Sequence, residues 1–315
     1  MSQEKSTQTG LSEFFGANLN IEGRWADFIQ AIGRVESNTR RVEELLARMH
    51  ESTLQTALFN ATESFKKDPR YQDPKRLLKY GFKVFSQNDE DGIIDEIFKR
   101  IGTTNKCFIE FGVENGLESN CLFLLLQGWS GIWMEGNVKK FSQLTTTFNQ
   151  FLNETNQLVA ICEMVDATNI NQLIKGSQVS GEIDLFSIDI DGNDYHVLEA
   201  LDQVQPRVII AEYNGHFPAH YSWIMKYNPS YEWVASTYYG ASLKAFERLL
   251  DEKGYALVGC NITGVNAFFV RKDLVKDHFL TPFTSENHYE PLRYWLHLGY
   301  QPSSNFRPQF GPFEN

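Results

Sequence analysis

Residues 255–271 read YALVGCNITGVNAFFVR, which is two apolar runs on either side of a short polar connection. Tyr255–Cys260 and Asn266–Arg271 have the length and apolar character of buried strands. The connection, Asn261–Val265, is too short for the crossover that joins parallel strands. The sequence therefore predicts that these two strands pair as an antiparallel hairpin.

The chain before the hairpin alternates short apolar runs with helical patterns. Strands alternating with helices form a parallel sheet whose crossover helices cover both faces. The predicted fold class is therefore α/β, a Rossmann-like, mostly parallel sheet with a terminal antiparallel strand. Ligands bind such sheets beyond the carboxyl ends of the strands, so the residues that follow each strand are candidates for a site. Five further strands are predicted at residues 107–111, 131–135, 158–165, 185–190 and 208–213.

The composition excludes some classes of partner. The chain has 315 residues, and its 29 Lys and Arg against 40 Asp and Glu give a net charge of −11. Nucleic acids and anionic membranes are not expected partners, because phosphate binding needs clustered basic side chains. No run of about 18 apolar residues is present, so no membrane span is expected. The polar N-terminus does not resemble a signal peptide.

The four cysteines contain no CxxC pair, which argues against a zinc site or a disulfide framework. Free thiols are typical of proteins in a reducing compartment. The expected location is therefore the cytoplasm.

The first 80 residues are predicted to lie outside the α/β domain. Residues 1–20 are polar and are expected to form a flexible lead, and residues 65–80 carry two prolines and many charges, as a linker does. Residues 21–64 have a stripe with alternating spacings of three and four, typical of a coiled coil or a docking helix. Homo-oligomerisation through this helix is one hypothesis, and packing on its own domain is the alternative. The stripe consists of Ile32, Val35, Thr39, Val42, Leu46, Met49 and Thr53.

Two later segments complete the predicted organisation. The α/β domain is placed at residues 81–274, and the aromatic-rich residues 217–241 exceed a minimal strand–helix unit. This insert is expected to form a substrate lid, and the alternative is an insert that only packs on the domain. Residues 275–315 contain half of the ten prolines and are expected to form an extended arm.

The turn after the first strand limits which ligand fits. It reads EFGVENG over residues 110–116, and its glycines permit a tight turn and the close approach of a ligand. A nicotinamide dinucleotide site would carry G-x-G-x-x-G, with a phosphate at the start of the next helix. Glu110 and Glu114 would repel that phosphate, so a cationic or phosphate-free ligand fits better. The alternative is a purely structural turn.

Two acids at the next strand ends suit a nucleoside. Glu135 ends the second strand, where a carboxylate can accept hydrogen bonds from both hydroxyls of a ribose. Asp166 follows the third strand, in a position to accept from an adenine amino group. The alternative for each is a helix N-cap or a solvated loop acid.

Several stretches together resemble a known family. They are residues 86–92 (SQNDEDG), 110–116, 128–129 (GW), 133–135 (WME) and 187–192 (SIDIDG). On these residues the chain resembles the class I S-adenosylmethionine-dependent methyltransferases, and among them the FkbM-like family, over about residues 80–272. It departs from the usual turn by carrying Val113 and Glu114 where small and amide residues are common.

The resemblance implies a fold, a cofactor and a reaction. The sheet would have seven strands, S-adenosylmethionine would bind across the first strands, and a hydroxyl, often on a saccharide, would be O-methylated. The cofactor-binding residues carried over are Gln87, Glu110, Gly112, Asn115, Glu135, Asp166 and Asp189.

Polar side chains that follow the fourth and fifth strands are suited to remove the proton of the acceptor hydroxyl. An acceptor hydroxyl loses its proton either to a general base or with the help of a divalent cation. Asp191, Glu212 and Asn214 are hard oxygen donors at adjacent strand ends, which suits Mg²⁺ or Ca²⁺. His216 and Asp191 are the predicted catalytic residues, and His196 is a second candidate base. The alternatives are helix capping by the acids and a structural role for His196.

Three functions stay open from the sequence. The first is an S-adenosylmethionine-dependent O-methyltransferase that acts on a hydroxyl of a saccharide or nucleotide-sugar. The second is a nicotinamide-dependent oxidoreductase on a similar sheet, which the missing G-x-G-x-x-G turn disfavours. The third is a non-catalytic scaffold that uses the N-terminal helix to assemble other proteins, which failure to bind the cofactor would favour.

Overall fold

The computed structural model of the protein describes residues 20–155, 157–296 and 313–314. The flexible lead expected at residues 1–20 lies outside the described residues except for its last position, and the expected C-terminal arm is described continuously only up to residue 296. Residue contacts divide the chain into two compact units, residues 1–60 and 61–315. None of the helices in the described ranges is long and apolar enough to cross a membrane.

The first unit is described as one long helix, α1, which spans Asn20–Lys66 and continues into the start of the second unit. The helix predicted at residues 21–64 is therefore confirmed. Every side chain from Arg24 to Ala57 is exposed. The apolar stripe expected from the sequence thus lies on an exposed helix.

The second unit contains the remaining described elements. The helices are α2 (Glu90–Ile101), α3 (Leu122–Leu126), α4 (Val138–Thr147), α5 (Ile170–Gly176), α6 (Asp194–Ala200), α7 (Leu243–Glu252), α8 (Lys272–Val275) and α9 (Ser285–His288). The strands are β1 (Cys107–Phe111), β2 (Ser130–Met134), β3 (Leu158–Ile161), β4 (Gly181–Ile188), β5 (Val204–Glu212), β6 (Ile224–Met225), β7 (Tyr255–Cys260), β8 (Asn266–Arg271) and β9 (Phe313–Glu314).

Seven of these strands form one sheet in the order β3-β2-β1-β4-β5-β8-β7. The pairs from β3 to β5 are parallel, and β8 is antiparallel to both β5 and β7. The predicted hairpin and the mostly parallel, seven-stranded sheet are confirmed. The strand order reverses between β1 and β4, and a crevice for a ligand is expected beyond the carboxyl ends of strands at such a switch point.

Side chains that alternate along the strands build a hydrophobic core on each face of the sheet. In β5, Val208 and Ile210 belong to one core and Ile209 and Ala211 to the other. Helices α2, α3 and α4 contribute to the first core, and α5, α6 and α7 contribute to the second. Burial on both faces explains why the strands appear in the sequence as continuous apolar runs.

The boundaries of several predicted elements differ from the structure; the fourth strand, predicted at residues 185–190, spans Gly181–Ile188. The sequence predicts one helix over residues 138–153, but α4 ends with three consecutive threonines, whose branched side chains disfavour a helix, and a π-helical turn follows. The third strand ends at Ile161 instead of residue 165. The fifth strand begins at Val204, before the predicted residue 208. Its first residues, which include Pro206, pair with β4 but not with β8. Pro206 has no N–H, and at this position no hydrogen bond to β8 is lost.

Residues 65–80, expected as a linker, contain two 3-10 turns with buried side chains. Tyr71 and Leu78 are each 3% exposed, and the Tyr71 hydroxyl donates a hydrogen bond to Glu290 Oε2 at 2.7 Å. Arg70 Nη2 donates to the backbone oxygen of Tyr289 at 2.8 Å. These bonds join the segment to residues after α9.

Two acids at the start of α2, Asp89 and Glu90, fix that helix to the β7–β8 hairpin. Glu90 is fully buried, and its Oε1 accepts hydrogen bonds from the side-chain amides of Asn261 at 2.7 Å and Asn266 at 3.0 Å. Asp89 accepts from the backbone N–H of Ile262 at 3.1 Å. Burial and the neighbouring charge of Glu90 raise the pKa of Asp89 to about 7. These acids therefore have a structural role, since their hydrogen bonds join the start of α2 to the β7–β8 hairpin.

A buried ion pair joins β4 and β5 near their amino ends. Asp184 is 0% exposed, Arg207 is 4% exposed, and Arg207 Nη1 lies 2.6 Å from Asp184 Oδ1. Asp184 also accepts from the backbone N–H groups of residues 104–106 at 2.7–3.0 Å. Arg207 donates to the backbone oxygen of Gly102 at 2.7 Å. Both charges thus have several hydrogen-bond partners, the condition under which a buried ion pair is tolerated.

Replacing Arg207 with Met is predicted to destabilise the protein by about 3–5 kcal/mol, because Asp184 would keep a buried charge without its partner. Guanidinium unfolding followed by circular dichroism measures this loss. Lys272→Met is the matched control, since Lys272 pairs with Asp251 at the surface, where an ion pair contributes about 0–1 kcal/mol. Equal losses in the two variants would contradict the role given to the buried pair.

Candidate active site at the carboxyl edge of the sheet

The loops that follow β1 and β4 touch at Gly112. This residue has a φ of +73°, and a Cβ atom built on it would lie 1.6 Å from the backbone oxygen of Asp189. Only glycine avoids this collision. The backbone N–H of Gly112 also donates to the backbone oxygen of Met134 at 3.1 Å. Gly112, predicted to bind a cofactor, therefore joins the ends of β1, β2 and β4 at the switch point.

Glu110, the second last residue of β1, has a structural role. Burial raises its pKa, and hydrogen bonds from Ser119 and from backbone groups act against that rise. The sequence predicts cofactor binding by Glu110, whereas the structure uses its carboxylate to fix the start of α3 to β1. Four donors reach the carboxylate: Ser119 Oγ at 2.5 Å, Trp133 Nε1 at 3.0 Å, and the backbone N–H groups of Asn120 at 2.8 Å and Cys121 at 3.2 Å.

Glu135 connects the loops after β1 and β2. It is 7% exposed, and its two oxygens accept from the backbone N–H groups of Glu114 at 2.7 Å and Asn137 at 2.6 Å. A carboxylate offers about four acceptor positions, so Glu135 keeps the capacity to accept from the hydroxyls of a ribose. It lies directly after β2, beside the loop of Gly112.

Asp166 and Asn115 make local hydrogen bonds. Asp166 Oδ1 accepts from the Thr168 hydroxyl and backbone N–H, both at 2.7 Å, and from the backbone N–H of Asn169 at 3.0 Å. Burial acts to raise the pKa of Asp166, but these bonds outweigh it and lower the pKa. Asn115 Oδ1 accepts from the backbone N–H of Leu117 at 3.1 Å. The bonds of Asp166 stay within the loop before α5, as expected for the alternative of a loop acid.

Gln87, the first cofactor-binding candidate along the chain, is exposed. Its backbone oxygen accepts from Lys83 Nζ at 2.9 Å. The structure therefore leaves its side chain facing solvent in the loop before α2, between the buried residues Ser86 and Asp89.

Three carboxylates meet where β4 and β5 end, and we call them the carboxylate cluster: Asp189, Asp191 and Glu212. Ile188 pairs with Ala211 in the sheet, so Asp189 and Glu212, which follow them, lie side by side. One oxygen from each of the three lies within 4.8 Å of the others. No second group of three His, Cys, Asp or Glu side chains meets this spacing among the described residues.

The carboxylate cluster holds protons more tightly than isolated acids do. Burial and the charge of Asp191 raise the pKa of Asp189 well above its usual value, and burial and the charge of Asp189 do the same for Glu212. A carboxyl group donates a hydrogen bond only when it is protonated, so the raised pKa values of Asp189 and Glu212 favour a proton held between the two. Asp191 is exposed, and partial desolvation with the charges of Asp194 and Glu114 raises its pKa to about 6.

The turn that carries Asp191 is held by Asp194. Asp191 has a φ of +56°, a left-handed conformation that costs a non-glycine residue about 1–2 kcal/mol. Asp194 is 0% exposed and accepts from the backbone N–H groups of Ile190 at 2.8 Å and Gly192 at 2.9 Å. Sequence reasoning did not assign Asp194 to the site. The spacing D-x-D-G-x-D was the signal that could have found it.

Asn214 lies outside the carboxylate cluster. It is fully buried, and its Nδ2 donates to the backbone oxygens of Thr237 at 2.9 Å and Tyr239 at 3.0 Å. Its Oδ1 accepts from the backbone N–H of His216 at 3.2 Å. The amide therefore fastens the end of the aromatic insert to β5, and Asp189 occupies the place that was expected for Asn214 in a cation-binding set.

The two candidate histidines differ in their surroundings. His196 is buried and its Nε2 lies 2.8 Å from the backbone oxygen of Met225, so that nitrogen donates a hydrogen bond, as in the structural alternative. His216 is exposed, and its ring centroid lies 6.5 Å from that of Tyr239. Partial desolvation lowers the pKa of His216. Its imidazole is therefore neutral near pH 7 and able to accept a proton.

The aromatic insert packs on the loop that carries the cluster. Tyr231 lies against Gly192, where an added Cβ would be 2.6 Å from the tyrosine ring. The side chain of Asn193 makes two hydrogen bonds to the backbone of Asn228: its Nδ2 donates to the Asn228 oxygen at 2.8 Å, and its Oδ1 accepts from the Asn228 N–H at 3.2 Å. None of these three contacts was assigned from the sequence, because they join segments more than 30 residues apart. The insert thus covers the turn of Asp191.

The residues at this edge fit a cationic, phosphate-free cofactor. Glu114, Glu135 and the carboxylate cluster are all acidic, and Lys140 is paired with Glu114 at 2.6 Å. S-adenosylmethionine carries sulfonium and ammonium charges and no phosphate, so an acidic edge attracts it. For a divalent cation, the cluster supplies three hard oxygen donors, which is the donor type that Mg²⁺ and Ca²⁺ prefer.

One known sequence family matches part of the second unit. Residues 138–255, which are 118 of the 315, match the sequence family of the methyltransferase FkbM domain. Over these residues the chain is similar to the methyltransferase FkbM domain. The resemblance inferred from the sequence is confirmed. The matched range contains the carboxylate cluster, His216 and the insert, whereas Gly112 and Glu135 precede it.

Solved structures similar to this chain include three methyltransferases. The magnesium protoporphyrin IX methyltransferase of Synechocystis PCC 6803 with bound SAH has 12% identity and a TM-score of 0.36, and the match covers 58% of this chain and 81% of that chain. The O-methyltransferase of Bacillus cereus in complex with SAH has 13% identity and a TM-score of 0.39, with 69% of this chain and 89% of that chain covered. A glycopeptide N-methyltransferase complexed with sinefungin has 9% identity and a TM-score of 0.36, with 60% of this chain and 87% of that chain covered. Similarities this low carry no argument about substrate or mechanism. No match was found among curated proteins.

The carboxylate cluster is predicted to lower the stability of the second unit as the pH rises. The pKa values of Asp189 and Glu212 are raised in the folded state, so their favourable contribution is complete below the unfolded pKa and is lost as the pH rises through the folded pKa. Asp189→Asn removes one ionisable group and keeps its shape. Its melting temperature is expected to exceed that of the wild type, by more at pH 8.5 than at pH 6.

Thermal unfolding followed by circular dichroism at both pH values measures this difference. Asp202→Asn is the matched control, because Asp202 is exposed ahead of β5, at the opposite edge of the sheet from Glu212. A gain in Asp189→Asn that is the same at both pH values would show that ionisation of the cluster is not its cause.

Proposed function

We propose that the protein is an S-adenosylmethionine-dependent O-methyltransferase that acts on a hydroxyl group of a saccharide or nucleotide-sugar. The observation that carries the proposal is the carboxylate cluster inside the residues that match the FkbM domain. Acids of raised pKa suit the removal of a proton from an acceptor hydroxyl. Their negative charge also suits a cationic methyl donor.

The loops after β1 and β2 are assigned to the nucleoside end of the cofactor. Glu135 is suited to accept from the two ribose hydroxyls, since each of its oxygens has one backbone donor and room for another. When bound, S-adenosylmethionine supplies an electrophilic methyl group on its sulfonium. The contact between Gly112 and Asp189 keeps the Glu135 loop beside the carboxylate cluster.

Asp191 is the preferred general base. Its carboxylate belongs to the cluster and is exposed to an incoming substrate. A pKa of about 6 leaves it ionised at neutral pH and more basic than an ordinary aspartate, as general-base catalysis requires. Asp189 and Glu212 share a proton, so they are less suited to accept a further one. His216 is the second candidate.

The aromatic insert is assigned to the acceptor. Phe217 stacks on Trp223 with ring centroids 4.6 Å apart and on Tyr221 with centroids 5.8 Å apart. Tyr221 is 48% exposed. An exposed aromatic face offers a flat apolar surface with a polar hydroxyl at one end, which matches the alternating C–H and hydroxyl faces of a sugar ring. This supports a saccharide over a purely apolar acceptor.

A divalent cation is a second means of removing the same proton. Bound to the cluster, it would relieve the repulsion among the carboxylates and lower the pKa of an acceptor hydroxyl. The spacing of the three oxygens supports this candidate. Asn214 makes structural hydrogen bonds instead of joining the cluster, so a cation there would be bound by carboxylate oxygens.

Glu135→Ala is predicted to weaken binding of S-adenosylhomocysteine about tenfold to a hundredfold, because a charged acceptor for the ribose hydroxyls is lost. Isothermal titration calorimetry measures the Kd. Glu118→Ala is the control, since Glu118 is an exposed acid that pairs with Lys83. Unchanged affinity in Glu135→Ala would remove this residue from the site.

Methyl transfer is predicted to increase as the pH rises through about 6, because Asp191 must lose its proton to act as a base. Asp191→Asn should lower kcat about 10²–10⁴-fold and leave the Kd of S-adenosylhomocysteine unchanged. The assay uses a radiolabelled methyl donor and a panel of saccharides and nucleotide-sugars. If Asp191→Asn retains the wild-type rate while His216→Ala does not, the base is His216.

The same assay with EDTA separates the two means of proton removal. Activity that is lost with EDTA and restored by Mg²⁺ would assign the cluster to a cation, and full activity after chelation would leave Asp191 as a plain base. Failure to bind S-adenosylhomocysteine would favour a non-catalytic scaffold. Binding of a nicotinamide dinucleotide in its place would favour the oxidoreductase alternative and overturn the proposal.

A further inference from the structure

Helix α1 exposes a continuous apolar stripe. Its members recur at alternating steps of three and four residues, the a and d positions of a heptad repeat. Exposed apolar patches of this extent mark interaction surfaces, and no residue from 24 to 57 is buried by any described part of the chain. Position a holds Trp25, Ile32, Thr39, Leu46 and Thr53, and position d holds Phe28, Val35, Val42, Met49 and Thr56.

The threonine hydroxyls of this stripe are already hydrogen bonded within the helix. Thr39 Oγ1 donates to the backbone oxygen of Val35 at 2.9 Å, and Thr53 Oγ1 donates to that of Met49 at 2.7 Å. A hydroxyl that is bonded to its own helix leaves no donor unpaired when the face is covered. The whole stripe can therefore be buried against another helix at little polar cost.

We propose that α1 forms a parallel, in-register coiled coil with α1 of a second copy of this chain. The order of the layers supports this register. Thr39 and Thr53 lie two heptads apart, with the apolar Val42, Leu46 and Met49 between them. In an in-register pair, each threonine packs against the same threonine of the partner helix, and each apolar residue packs against the same apolar residue. A shift of one heptad would place Thr39 against Leu46.

The charges beside the stripe select the parallel orientation. Position e holds Glu36 and Glu43, whereas position g holds the neutral Ala31 and Asn38. In a parallel pair e faces g of the partner, so each glutamate meets a neutral side chain. In an antiparallel pair e would face e, and the glutamates would repel one another. The arginines at 34, 41 and 48 occupy position c, away from the contact.

Disulfide cross-linking of the full-length protein tests orientation and register. Val35→Cys places a thiol at position d, where a parallel, in-register pair brings it against its own copy. Ser37→Cys, two residues away at the outward position f, is the matched control, and the wild type measures the background from its four free cysteines. We expect covalent dimers for Val35→Cys above the level of both controls.

Light scattering with a second pair of variants tests self-association itself. The wild type is expected to have a mass of at least two chains, and Val42→Glu with Leu46→Glu should reduce it to one by placing charge in the contact. Gln30→Glu with Ser37→Glu adds the same charge at position f and should leave the mass unchanged. Circular dichroism melting verifies that the second unit stays folded in each variant.

A monomeric wild type would overturn the proposal and leave the stripe to another partner. A wild-type dimer that gives no Val35→Cys cross-link above the Ser37→Cys control would overturn the parallel register. A dimer whose mass is unaffected by glutamates at residues 42 and 46 would show that a different surface makes the contact.

Discussion

The candidate site depends on one close approach, between Gly112 and the backbone oxygen of Asp189, which leaves no room for any side chain at residue 112. The approach is possible because β1 and β4 are parallel neighbours where the strand order reverses. It brings the loop that is bonded to Glu135 against the loop that carries Asp191. Any ligand held by the first loop is therefore beside the candidate base on the second, and Glu110 keeps this geometry by fixing the start of α3.

The carboxylate cluster opposes folding, and the surrounding structure compensates for it. Burial and mutual repulsion raise the pKa values of Asp189 and Glu212, which favours their protonated forms. The two hydrophobic cores fix the strands that carry these residues, and Asp194 holds the left-handed turn of Asp191 with two backbone hydrogen bonds. Functional sites commonly keep such unfavourable features because the rest of the fold over-determines them. The insert adds to this by packing Tyr231 on the same turn.

The strands and most helices could be predicted from the sequence, because their apolar periodicity is a local property that burial on both faces imposes. The roles of single polar residues could be predicted only in part. Glu110 and Asn214 each follow the expected pattern for a site residue, yet the indole of Trp133 binds the first and the backbone of the insert binds the second. His196 is likewise bound by the backbone of Met225. These hydrogen-bond partners come from distant segments, so the local sequence pattern does not predict them.

The sequence by itself determined the α/β class, the hairpin of β7 and β8, and the heptad stripe of α1, because chain spacing and connection length decide each of them. The tertiary structure alone decided which acids converge. Asp189 joins Asp191 and Glu212 because the parallel pairing of β4 with β5 sets it beside the end of its neighbour. The protonation of these groups follows from how far each one is removed from water and how near the other charges are. Both quantities are set by contacts between segments that lie far apart in the chain.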